Sequence, residues 1–159
     1  MSLLRPIAPA DHARVLAWNH DHVELLAPLD EPRLRALLAL ADLGCVIAAD
    51  GADVGFVLTF AAGTAYDSAN YRWFTERYPA FYYLDRVVVD PAARRTGVAT
   101  RVYDEIEERA RRLAPVMCLE VNLDPPNEPS LAFHRRRGYA EVGQDDATGH
   151  LVGLMVKAL

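Results

Sequence analysis

The stretch from Leu84 to Ala110, LDRVVVDPAARRTGVATRVYDEIEERA, constrains the fold of this chain more than any other. It begins as an apolar, β-branched run (Leu84, Val87, Val88, Val89) and breaks at Asp90-Pro91, where proline cannot extend a strand ladder. An arginine-rich loop with one glycine follows, Arg94-Arg95-Thr96-Gly97. Beyond it, Val98, Val102, Ile106 and Ala110 recur every four residues, which predicts the buried stripe of a long helix. Glu105–Arg109, Glu107–Arg111 and Glu108–Arg112 are acid-before-base pairs at i,i+4 and predict a solvated opposite face. A strand feeding a glycine loop at a helix N-terminus gathers unpaired backbone N–H groups and the positive end of the helix dipole at one spot. That spot suits an anion such as phosphate. The plainer reading is a strand-to-helix turn in which Gly97 relieves crowding and the arginines are solvated.

Composition narrows the classes. A chain of 159 residues with 52% hydrophobic and 25% charged residues has the size and apolar content for one folded domain spanning 1–159, and is not disordered. No apolar run approaches the ~18 residues of a membrane span, and the N-terminus lacks the form of a secretory signal. The expectation is a cytoplasmic protein with no membrane partner. A net charge of −5 counts against nonspecific nucleic-acid binding. The excess acid lies in residues 1–85, with six arginines against eleven Asp and Glu, whereas residues 86–159 balance at eleven of each sign. Cys45 and Cys118 sit inside apolar runs, as buried free thiols do. His20-Asp21-His22 lacks the helical spacing and third ligand of a zinc site, so no metal is expected. No phosphate-binding Walker loop or dinucleotide glycine motif occurs, which counts against ATP and NAD.

In chain order, residues 3–8 read as a strand. Asp11 is a candidate cap for a helix to about His20, and a second helix starts near Asp30 with Pro32 in its first turn and stops at Gly44 in a left-handed cap. Cys45–Ala49 and Val54–Phe60, separated by Asp50-Gly51, predict a β-hairpin. From Ala61 to Phe81 the pattern dissolves, with a short helix left open. Its aromatics (Tyr66, Tyr71, Trp73, Phe74, Tyr78, Phe81) either wall a substrate pocket or pack as a lid on the core. After Pro115, VMCLEVN is a strand, Ser130–Arg137 a short helix closed by Gly138, and YAEVGQ and HLVGLMVKAL two final strands. The order mixes a strand–helix–strand crossover with hairpins and so predicts a mixed α/β sheet.

Two stretches together resemble the GNAT acetyltransferase superfamily. Val87-Val88-Val89-Asp90-Pro91 leading into Arg94-Arg95-Thr96-Gly97-Val98-Ala99 matches its Val-x-Pro and Arg/Gln-x-x-Gly-x-Gly/Ala signature. Asn127 through Ser130, Phe133 and His134 to Gly138-Tyr139 matches Asn-x-x-Ser/Ala-x-x-Phe-Tyr-x-x-x-Gly-Phe/Tyr. The resemblance implies a mixed, mostly antiparallel sheet of about seven strands with a splayed parallel pair and four flanking helices. It implies acetyl-CoA as co-substrate, lying between the strands that contain Val87–Val89 and Met117–Asn122. Backbone groups of Val87, Val88 and Val89 would meet the pantetheine arm, and N–H groups from Arg94 and Arg95 through Thr96, Gly97, Val98 and Ala99 to Thr100 the pyrophosphate. Asn127 would bond the pantetheine or cap the following helix.

The chemistry so implied is direct attack on the thioester by a primary amine, of a small molecule or an amino-terminal group. The family's usual acid is a tyrosine four residues before the glycine; here that position is His134, a departure. Tyr103, Tyr139 or water are its alternatives. Strand alternation puts Tyr83 and Asp85 on one face; Asp85 is the first candidate base, or an ion-pair partner of Arg86, and Glu120 is the second candidate. Tyr83 and Glu120 are also candidate acceptor contacts. Arg135-Arg136-Arg137 reach the phosphates or are solvated. A catalytically weak acyl-CoA-binding sensor of the same fold is the alternative function, and monomer or homodimer stays open.

Overall fold

The computed structural model describes residues 1–159. In chain order the elements are β1 (Leu4–Pro6), α1 (His12–Asp21), α2 (Glu31–Leu40), β2 (Leu43–Ala49), β3 (Ala52–Ala61), α3 (Ala69–Thr75), β4 (Tyr82–Val89), α4 (Val98–Arg111), β5 (Val116–Asp124), α5 (Glu128–Arg136), β6 (Ala140–Asp145) and β7 (Leu151–Ala158). The strands form one mixed sheet in the order β1-β2-β3-β4-β5-β7-β6, with β4 and β5 parallel. The chain divides into two compact units, Met1–Phe60 with Leu84–Arg109 and Ala61–Tyr83 with Ala110–Leu159.

In the first unit the β2–β3 hairpin turns at Asp50-Gly51 with both φ angles positive, 52° and 81°. This pair of left-handed residues matches the twist of a tight antiparallel hairpin, which explains the Asp-Gly signal. Helix α2 is capped by the Asp30 carboxylate, which accepts from Arg33 N at 2.8 Å. Gly44 does not end that helix: it lies inside β2, opposite Leu58. Its hydrogen side chain suits the packing, because a methyl there would approach Leu38 Cδ2 to 2.4 Å and push that side chain aside. The helix stops instead where Ala41 turns extended and Asp42 N joins Thr59 O at 2.8 Å.

The apolar stripe of α4 is buried as expected, with Val98, Val102, Ile106 and Ala110 at most 3% exposed. Its polar face is not merely solvated. Glu105 accepts from Leu3 N at 2.6 Å and Ser2 Oγ at 2.7 Å, Arg109 donates to Asp42 at 2.8 Å, and Glu107 is 1% exposed. Once the chain's first residues and the start of β2 lie over the helix, partners remote in sequence take these charges. Asp11 makes no side-chain cap at α1; its carboxylate accepts from Ala8 N and forms a fork with Arg5 at 2.9 and 3.0 Å. The hydrogen bond from Arg5 holds the Asp11 carboxyl down to about 2. A depressed carboxyl stabilises the fold above its ordinary pKa and loses that contribution as pH falls through the lowered one. Asp11→Asn is therefore expected to be less stable at neutral pH and to show a shallower stability loss from about pH 4 to pH 2, followed by urea unfolding at each pH.

In the second unit the Ala61–Phe81 segment holds the short helix α3, capped by Ser68 Oγ accepting from Tyr71 N. Its aromatics pack inward: Tyr66, Tyr71, Phe74 and Phe81 are at most 8% exposed, and the first three surround the ring of Tyr83 at centroid distances of 6.4, 5.6 and 5.9 Å. Tyr71 also donates to Ala61 O at 2.7 Å, which closes the loop on itself. Trp73 lies against β6, where a methyl on Gly143 would come within 2.5 Å of its ring.

Cys45 and Cys118 are free and buried, and burial pushes both thiols up, Cys118 the more strongly. Neither is expected to react with a thiol reagent at pH 8 within minutes in the folded protein, and both should react after unfolding. Two equivalents released at once from the native protein would contradict this packing.

Candidate functional site

Residues Arg94–Gly97 form an exposed loop between the short 3-10 turn Pro91–Ala93 and α4. Asp90 caps that turn by accepting from Ala92 N at 2.9 Å, and Thr96 Oγ1 donates to Ala93 O. Arg95 and Gly97 both take left-handed backbone, φ 63° and 80°. Alternating hands of this kind turn successive N–H groups toward a common concavity that binds anions. The first intrahelical bond of α4 is Arg101 N to Gly97 O, so the amides of Val98, Ala99 and Thr100 carry no helical acceptor. A methyl on Gly97 would meet nothing within 4 Å. Glycine therefore suits that position for its backbone, not to relieve internal crowding. Arg94 is positioned: its guanidinium donates to His22 Nε2 at 3.0 Å, while His22 Nδ1 donates to Trp18 O at 2.9 Å. A carbonyl only accepts and a guanidinium only donates, which fixes the His22 tautomer.

The Val88 carbonyl points at Gly55 of β3, so closely that a Cβ on Gly55 would sit 1.8 Å from it. Because peptide groups alternate edges along a strand, those of Val87 and Val89 point to the edge of β4 away from β3. β4 is registered with β5 at Tyr82↔Met117 and Tyr83↔Cys118, the first two of its eight residues.

The candidate carboxylates have different settings. Asp85 is held against Arg86, Oδ2 to Nε 3.0 Å, with the two side chains 7% and 5% exposed. Arg86 also donates to Asn19 Oδ1 at 2.8 Å and Ala27 O at 2.7 Å, tying β4 to α1 and the segment after it. Glu120 on β5 accepts from the hydroxyl of Tyr83 at 2.6 Å. Tyr83 is fully buried and Glu120 half-buried, so the ring anchors the carboxylate while leaving it at a surface. The sequence named both residues but not the pairing, which depends on the parallel register. Two residues on, Asn122 has its Nδ2 buried without a hydrogen-bond partner.

Asn127 caps α5, its Oδ1 accepting from Ser130 N at 3.4 Å. His134 is 5% exposed and edge-on to Phe133 and Tyr139, with Nδ1 2.7 Å from Ser130 O. Since that carbonyl only accepts, Nδ1 carries a proton. Gly138, with φ 96°, ends the helix, and Tyr139 N returns to His134 O at 3.0 Å. Arg135 and Arg136 are exposed, and Arg137 lies over the Phe133 ring at 5.9 Å. No group of three or more His, Cys, Asp or Glu is arranged to hold a metal ion, and no helix is long and apolar enough to cross a membrane.

A model of the acetyltransferase (GNAT) family matches residues 10–139. The chain belongs to that family. No curated protein matches it in sequence. Among solved structures it is similar to Ard1 from Thermoplasma volcanium, with 16% identity over 98% of this chain and 96% of that one and a TM-score of 0.77. It is similar to NAA60 from Arabidopsis thaliana in complex with acetyl-CoA, with 18% identity, 98% of each chain and a TM-score of 0.73. The ribosomal-protein-alanine N-acetyltransferase from Brucella melitensis shares 23% identity over 99% and 100% of the two chains, with a TM-score of 0.68. At these identities the likeness shows the fold: the GNAT sheet with its parallel pair, here carrying five helices because α3 is formed.

Proposed function

We propose that this GNAT protein moves the acetyl group of acetyl-CoA to a primary amine, of a small molecule or an amino-terminus, by direct attack. The observation that carries the reading is the Glu120 carboxylate held by the Tyr83 hydroxyl at 2.6 Å. It is an oriented base at a half-buried site, whereas Asp85 is committed to neutralising a buried guanidinium. The loop supports the donor side. Its left-handed Arg95 and Gly97, the unpaired first-turn amides of α4 and Arg94 fit a pyrophosphate, and the free edge of Val87 and Val89 fits an extended pantetheine arm. NAA60, crystallised with acetyl-CoA on the same fold, lends support to that donor.

Glu120, or Asp85 through a water as the second candidate, takes the proton from the ammonium form of the acceptor. The nitrogen lone pair then forms the C–N bond as the C–S bond breaks, and the nitrogen sheds its second proton to water as the amide forms. A backbone N–H of the Val87–Val89 edge stabilises the charge that grows on the carbonyl oxygen. His134 supplies a proton to the departing sulfur. With Nδ1–H donated to Ser130 O, any proton for the sulfur comes from Nε2. His134→Phe should lower kcat by about 10²-fold with little change in KM for acetyl-CoA. An unchanged kcat removes His134 from the reaction and passes the role to Tyr139 or water.

The same tautomer favours a second reading, an acyl-CoA sensor without turnover. Thiol release measured over a panel of amines separates the two. Release above the hydrolytic background establishes the enzyme; tight CoA binding with no release under any condition establishes the sensor.

A further inference from the structure

We infer that Asn122 selects the acceptor, requiring a hydrogen-bond acceptor such as a carbonyl oxygen next to the carbon that bears the amine. The inference rests on the acetyl-transfer reading above and adds to it the chemical class of the substrate. Glu120 and Asn122 oppose Leu154 and Val152 of β7 in regular antiparallel register, and the register shifts only after Asn122. Residues two apart on a regular strand share a face and stand about 6.6 Å apart at Cα. The base and the amide are therefore neighbours on the sheet face to which Tyr83 also points.

Asn122 Nδ2 is buried and has no partner, unlike the Asn19 and Asn127 side chains, which are engaged. An orphaned buried donor is costly to keep, and beside the carboxylate proposed as the base it marks a place for a partner from outside the chain. The β-bulge that opens after Asn122 is the kind of irregularity that re-aims side chains beside active sites. An ammonium group on Glu120 and a donor one step further along the strand describe an α-amino group followed by a carbonyl, as in an amino acid amide or the first residue of a peptide. A plain alkylamine satisfies Glu120 and leaves Asn122 unpaired. A site with a buried hydrogen-bonding group rejects analogues that cannot answer it far more strongly than it rejects a missing methylene.

The test compares L-alaninamide with sec-butylamine, which keeps the branched carbon and lacks the carbonyl, using thiol release from acetyl-CoA by wild type and Asn122→Leu. Each acceptor is read as the ratio of variant to wild-type kcat/KM, which removes the difference in basicity between the two amines. The expected result is a fall of about 10- to 100-fold for alaninamide and a change within about twofold for sec-butylamine. The thermal midpoint of the unliganded variant should not drop, since no native hydrogen bond is lost. N-acetylalaninamide should raise the midpoint of wild type and not that of the variant. Equal losses with both acceptors overturn the inference and leave acetyl transfer standing. No loss with either assigns the amide to bound water and overturns it as well. No thiol release by wild type with any amine removes the acetyl-transfer reading and the inference together.

Discussion

Glu120→Gln is expected to lower kcat by about 10²- to 10³-fold with amine acceptors while the protein stays folded. The reasoning is local. Glutamine keeps an oxygen where the Tyr83 hydroxyl donates at 2.6 Å, so the aromatic cluster of Tyr66, Tyr71 and Phe74 around that ring is undisturbed. What disappears is the only property a base needs, a lone pair that accepts a proton. The rising limb of the pH–rate profile at low pH should vanish with it, because that limb reports the ionisation of the base. Tyr83→Phe removes the anchor and leaves the carboxylate, so a smaller loss with the limb retained is expected. The paired control is Asp85→Asn. If Asp85→Asn abolishes the rising limb and Glu120→Gln preserves it, the base is Asp85 and the assignment is reversed.

The second large effect is on stability. Arg86→Met should destabilise the protein by about 3–5 kcal/mol, because it removes the guanidinium partner of a buried carboxylate. Arg86 is 5% exposed and serves three acceptors at once: Asp85 at 3.0 Å, Asn19 Oδ1 at 2.8 Å and Ala27 O at 2.7 Å. Asp85 and Asn19 lose a donor where they are buried, whereas Ala27 O keeps the bond from Asn19 Nδ2 at 3.0 Å. Asp85→Leu in the same chain should recover part of the loss, since an apolar pair of similar volume often matches a buried ion pair. Urea unfolding of the single and double variants measures both. A single-variant loss below about 1 kcal/mol would show that the network is solvated in solution.

Much of the architecture was legible because it depends on local chemistry. Asp50-Gly51 announced its hairpin because few pairs tolerate two positive φ angles, and the every-fourth-residue stripe of α4 was buried as written. Gly138 and Asn127 were readable as helix ends for the same reason. The failures are of one kind. Glu105 and Arg109 looked like an i,i+4 pair and instead bind Leu3 and Asp42, remote in sequence. Gly44 looked like a helix cap and is a packing contact under Leu38. The aromatics of the Ala61–Phe81 segment left pocket and core open, and four of them are core.

By itself the sequence determined the family, through two motifs, and the strand, glycine loop and helix of Leu84–Ala110, because these depend on a few adjacent residues. It also put Tyr83, Asp85, Glu120 and His134 forward as the chemical groups. Only the tertiary structure decided what each is attached to. The parallel register of β4 on β5 sets Tyr83 against Glu120, burial commits Asp85 to Arg86, and a helix carbonyl fixes the proton of His134 on Nδ1. A strand's own alternation says which side chains share a face. It does not say which residue of the neighbouring strand lies opposite, and that register is what sets a tyrosine hydroxyl against the Glu120 carboxylate.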